Sequence, residues 1–165
     1  MVCRSSIRAL PELEAAFAVG RLVAKVAMRA WLVDKLPPRA LQEIVYAAVE
    51  PLGARVPRVP GEPSRDELAR RIQRALTRKG RKQLEELATR VVTFDAEALV
   101  RGVERAAAHT AYLLTGDLVS ALDHLRRGDP TSDPATPGSP SCELLRYALS
   151  ADAAAMRRRL GTTWG

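Results

Sequence analysis

Apolar residues recur along the chain at three- and four-residue spacing, β-branched runs are short, and alanine and leucine are frequent. That pattern predicts helices throughout and no convincing strand. A first helix is expected from Pro11 to about Lys35, stopped by Pro37 and Pro38. A second runs from Pro38 to Glu50, with Leu41, Ile44, Val45, Ala48 and Val49 forming its core face. The stretch Pro51 to Pro63 holds four prolines and two glycines and reads as an extended, rigid loop. Ser64 then opens a third helix through the capping-box pattern SRDE, with Leu68, Ile72 and Leu76 as its stripe and Lys79-Gly80 as its stop. A fourth covers Arg81 to about Val91, packing through Leu84, Leu87 and Val91.

Asp95 reads as the cap of a fifth helix reaching Leu114, with Leu99, Val103, Ala106, Ala107, Thr110 and Leu114 turned inward. Gly116 permits a sharp turn into a sixth helix begun by Asp117 and carrying Leu118, Ala121, Leu122 and Leu125. Residues 128–141, GDPTSDPATPGSPS, read as a flexible Pro/Ser-rich loop with too little apolar surface to pack. Two short helices follow, Cys142 to Leu149 and, after a Ser150 cap, Ala151 to Leu160. The expected fold is all-α, a compact bundle of about six to eight helices with little or no strand, in one domain over residues 1–165. No internal repeat is visible, which disfavours a solenoid.

Composition narrows the setting. Two cysteines far apart, Cys3 and Cys142, point to reduced thiols and a cytoplasmic protein rather than a disulfide scaffold. The first residues do not form a signal peptide, and Arg21, Lys25 and Arg29 interrupt the most apolar stretch, so no membrane partner is expected. The formal charge of +7 is concentrated between Arg65 and Lys82, where eight basic residues face two acidic ones. Arg70, Arg71, Arg74, Arg78, Lys79, Arg81 and Lys82 form a candidate anion-binding patch for nucleic acid. Against that reading, the segment lacks aromatic residues for base stacking and lacks a recognition helix rich in Asn, Gln or Ser. A solvated helical surface biased toward arginine is the favoured account of these charges.

The segment Glu12 to Lys25, ELEAAFAVGRLVAK, carries a more specific pattern. It resembles ELAxxxGHExxH of the HtpX-like gluzincin peptidases, aligned on Glu12, Leu13 and Gly20. In such a helix two His, four residues apart, bind one zinc and the Glu between them acts as general base. Here Arg21 and Lys25 stand at the His positions and Leu22 at the base. The later segment VERAAAHTAYLLTGDL resembles the family's ExxAD helix, placing Glu104 at the third ligand, Ala107 at the alanine and Ala108 at the aspartate. The whole chain is similar to a domain found at the C-terminus of large bacterial tetratricopeptide-repeat proteins, through LEAAFAVGRLVA, AYLLTGDLVSAL and ELLRYALSADAAAMRRRLG. The repeats themselves are missing.

The resemblance implies a peptidase-like frame without zinc chemistry, hence no enzyme and no cofactor. It also raises a physical question, because a buried Glu104 deprived of its metal needs another cation. One reading pairs it with Arg21, Lys25 or both. The other takes Glu14, Arg21, Lys25 and Arg29 as one solvated stripe of an amphipathic helix. Elsewhere the chemistry is sparse: His109 and His124 have no cysteine cluster near them, Cys142 has no histidine base in view, and no phosphate-binding glycine loop occurs. The expected role is therefore a protein-interaction or scaffold domain with an unidentified protein partner. Nucleic-acid binding through the basic segment is the alternative.

Overall fold

The computed structural model describes residues 10–57, 65–88, 90–91 and 94–162. Among them are eight α-helices and no strand, so the fold is all-α. The helices are α1 (Glu12–Ala27), α2 (Pro38–Val49), α3 (Arg65–Ala75), α4 (Arg78–Ala88), α5 (Ala96–Thr115), α6 (Leu118–Gly128), α7 (Pro140–Ala148) and α8 (Ala151–Leu160). Short 3-10 turns occupy Trp31–Asp34 and Glu50–Leu52. The chain groups into two compact units, residues 1–35 with 101–165, and residues 36–100.

The first unit is built on α1, most of α5, and α6 to α8. Its core joins Phe17 of α1 with Ala108, Ala111 and Tyr112 of α5, Ala121 and Leu125 of α6, and Leu144 of α7. Alanines dominate because α1 and α5 approach closely: a Cβ on Gly20 would lie 3.1 Å from that of Ala111. This corrects the inward face of α5. Ala107 is buried as expected, but Leu99, Thr110 and Leu114 are exposed, and Ala108, Ala111 and Tyr112 face the core instead. Hydrophobic spacing favoured the larger aliphatic residues, whereas close helix contact selects the smaller ones.

α1 ends eight residues short of the expected Lys35. Arg29 adopts a left-handed conformation at φ 55°, and the amides of Arg29 and Ala30 donate back to the carbonyls of Val26 and Lys25, each at 2.9 Å. This Schellman closure satisfies the last carbonyls and turns the chain back along the helix end. Residues 128–141, expected to have too little apolar surface to pack, make their buried contacts through hydroxyls. Ser132 and Ser141 are fully buried and their hydroxyls hydrogen-bond at 2.8 Å, while the Ser132 hydroxyl accepts from the Ser141 amide at 3.1 Å. Ser139 caps α7 by accepting from the Cys142 amide, so that helix starts two residues earlier than expected. Hydroxyl hydrogen bonds, rather than apolar burial, tie this segment to the core.

In the second unit, α2 packs against α3 and α4. The expected Lys79-Gly80 stop lies inside α4, because the Thr77 hydroxyl accepts from the Gly80 amide at 3.1 Å and caps that helix earlier. The Ser64 capping box lies outside the described residues. Arg65 anchors α3 to α2. Its Nε and Nη2 donate to the two carboxylate oxygens of Glu43 at 2.9 and 3.2 Å, and its guanidinium lies 5.4 Å from the Tyr46 ring centroid.

Candidate functional site

On α1, the usual placement of charge is reversed. Glu14 and Lys25 are only 4% and 6% exposed, and with Arg21 and Phe17 they occupy the side that packs inward. Ala16, Val19, Leu22, Val23, Val26 and Ala27 lie outward and exposed. The solvated-stripe reading of Glu14, Arg21 and Lys25 is therefore corrected, and Arg29 alone among the four is exposed. A buried charge persists only when partners satisfy it, and the first unit supplies them.

Arg21 and Lys25 sit one turn apart on the inward face, and both reach Glu104 on α5. The Arg21 guanidinium donates through Nη2 to Oε2 in a short, charge-assisted contact. Lys25 Nζ donates to Oε1 at 2.6 Å and also to Oδ1 of Asp34 at 2.6 Å. Two cations and two carboxylates thus form one network in which each Glu104 oxygen accepts from a different cation, while Arg21 Nε is buried with no hydrogen-bond partner among the described residues. Asp34 was missed in the sequence because a continuous helix to Lys35 carries it away from Lys25. The Schellman turn after Ala27 brings it back.

A second pair lies on the same helix face. Arg127 of α6 donates bidentately to Glu14, Nη2 to Oε1 at 2.9 Å and Nε to Oε2 at 3.2 Å, and this hydrogen bonding raises the Arg127 pKa above its ordinary value. Nothing in the local sequence joins residues 113 positions apart. His124 of α6 stands edge-on to Phe17 with centroids 5.5 Å apart. Burial, reinforced by the Arg21 charge, holds it below the usual histidine range. His109 stacks on Tyr147 at 3.8 Å, nearly parallel, and burial with the Arg105 charge lowers its pKa against the opposing pull of Glu143. His109 Nε2 and His124 Nδ1 are buried with no hydrogen-bond partner among the described residues. The two histidines occupy separate aromatic contacts rather than one site.

The basic segment is placed quite differently. Arg70, Arg71, Arg74, Arg78, Lys79, Arg81 and Lys82 are all exposed on α3 and α4. Arg70 Nε donates to the Asp66 carbonyl of its own helix, and Arg81 lies 3.7 Å from Glu85 one turn on. Glu85 and Glu86 share α4 with these cations, which weakens any field the patch presents to a phosphate.

Among the described residues no group of three His, Cys, Asp or Glu side chains is arranged to hold a metal ion. No described helix is long and apolar enough to cross a membrane. No known protein family, curated protein or solved structure matches the chain.

Proposed function

We propose that the chain is a non-catalytic interaction domain built on a zinc-peptidase-like frame, in which protein cations have taken over the charge neutralisation of a lost metal. The observation carrying this reading is the convergence of Arg21 and Lys25 on Glu104. Residues at two metal-ligand positions of the resembling pattern point at the residue in the third position. Neither an ammonium nor a guanidinium group serves as a zinc ligand, and a leucine at the base position cannot take a proton from water. Cytoplasmic placement and a protein partner belong to the same proposal, the latter supported by the apolar outer side of α1.

Restoring the ligands tests the frame. The triple variant Arg21→His, Leu22→Glu, Lys25→His places two imidazoles a helical turn apart facing Glu104. It is expected to bind about one zinc ion per chain, measured by metal analysis after dialysis, and to lose that ion when Glu104→Ala is added. A folded triple variant that retains no zinc removes the peptidase-like ancestry. Peptide hydrolysis by the wild-type chain, abolished by Glu104→Gln, removes the non-catalytic reading.

Nucleic-acid binding through α3 and α4 is the second reading, favoured by the exposure of all seven basic side chains. It requires retention on DNA or RNA that weakens steeply as salt rises.

A further inference from the structure

α1 carries its charges inward and its aliphatic side chains outward, and an outward apolar helix face is an interface in want of a cover. Single exposed aliphatic residues are ordinary on protein surfaces, but here they form one continuous stripe. Val19, Val23 and Val26 recur at four- and three-residue spacing and are 46%, 56% and 65% exposed, with Ala16, Leu22 and Ala27 beside them. No charged residue interrupts the stripe. Trp31 and Leu32, past the turn that closes the helix, are exposed as well.

The ends of the stripe indicate what covers it. Glu12, exposed, lies in line with Val19 and Val23 at the N-terminal end, and Arg29, exposed, lies just past the C-terminal end. Glu12 and Ala27, the ends of the helix, lie about 23 Å apart, and Arg29 follows in the turn that closes it. The midpoint of Glu12 and Arg29 falls between positions 20 and 21, and that of Ala16 and Val26 falls at 21. A twofold axis near position 21 brings apolar stripe onto apolar stripe and, at each end, the Glu12 end of one copy toward the Arg29 end of the other. Small and β-branched side chains at the centre allow two helices to approach closely, and antiparallel helix dipoles oppose one another. A twofold interface has to be self-complementary in this way.

We propose that the outward face of α1 docks antiparallel on α1 of a second copy of this chain, giving a symmetric dimer. The inference rests on the reading of the chain as an interaction domain and names the partner of its apolar face. In the dimer, Val19 and Val23 lie nearest the axis, and the Glu12–Arg29 contacts set direction and register. The inward Arg21–Glu104–Lys25 network holds the helix orientation that keeps the stripe outside.

Sedimentation equilibrium or light scattering of the full chain, from about 1 to 200 µM, covers the range in which micromolar association registers. The expected mass rises from 18.0 kDa toward twice that value. Val23→Glu, at a position already more than half exposed in one copy, should keep the wild-type circular dichroism spectrum and weaken association at least about 10-fold. Glu12→Arg or Arg29→Glu alone should weaken it several-fold, and the two together should recover most of the loss. A wild-type mass that stays at one copy throughout overturns the dimer, as does a dimer unaffected by Val23→Glu. Binding of a monomeric wild-type chain to uncharged phosphatidylcholine vesicles, lost in Val23→Glu, assigns the face to a lipid surface and also overturns it. None of these outcomes bears on zinc retention or hydrolysis, so the failure of the dimer and the failure of the pseudoenzyme reading are separable.

Discussion

Helix α1 of the first unit and helices α3 and α4 of the second place most of their arginines and lysines in opposite ways. In the first, the cations of α1 turn inward and the helix shows water its valines; in the second, the cations of α3 and α4 turn outward and Ala69 and Ala88 are buried. The difference follows from where the carboxylates are. Glu104 and Asp34 meet Arg21 and Lys25 in the first unit, and Arg127 meets Glu14. Across α3 and α4 the basic residues outnumber the acidic ones, so most have nothing to pair with inside and stay in water. Arg65 shows that the rule concerns partners rather than units: with Glu43 and Tyr46 to receive it, its side chain is only 9% exposed.

Removing the shared carboxylate is the strongest way to break this contrast. Glu104→Ala leaves Lys25 buried with only Asp34 and leaves Arg21 without its acidic partner. The expected loss is about 2–3 kcal/mol, below the 3–5 typical of a fully buried pair because Glu104 keeps some solvent contact. Urea denaturation measures it, and a loss under about 0.5 kcal/mol, the size of an ordinary surface substitution, places the α1 charges in the same class as those of α3.

Acidification sharpens the contrast more gently. Both histidines lie in the first unit, and burial depresses both pKa values in the folded state. The unfolded chain then binds protons at higher pH than the folded chain does. The resulting stability is complete above the unfolded value of about 6.5 and is lost as pH falls through and below it. The urea midpoint should therefore fall between pH 7.5 and 5.5, and the fall should shrink in the His109→Gln, His124→Gln double variant. In NMR spectra the Tyr147 ring should respond before Tyr46, which belongs to the second unit. An unchanged midpoint across that interval contradicts the assignment.

The smallest effect is expected in α3. Arg71→Ala and Arg74→Ala remove exposed cations and should shift stability by no more than about 0.5 kcal/mol. Nucleic-acid retention by the wild-type chain that is absent even at low salt leaves the pair a solvated surface; retention lost in these variants makes them phosphate contacts.

Helix positions were largely legible because their signals are local. Asp95 accepts from the Ala98 amide at 2.9 Å, Asp117 accepts from the amides of Val119 and Ser120, and Ser150 accepts from that of Ala153, each at the predicted start of a helix. Gly116 takes φ 71° where a turn was expected. The misplaced ends had non-standard caps: Arg29 stands in a position that glycine usually fills, and Thr77 starts a helix whose second and third residues had read as a stop. Of the candidate site, the residues Arg21, Lys25 and Glu104 were legible through the spacing of a resembling motif, whereas Asp34 and the Glu14–Arg127 pair were not.

By itself the sequence determined that the chain is helical and where most helices begin, because propensity and capping act within a turn. Only the tertiary structure decided which way α1 faces. A helix carrying both a charged and an aliphatic stripe can pack on either, and the choice falls to carboxylates on α5 and in the turn before α2, with an arginine on α6, brought close by the fold.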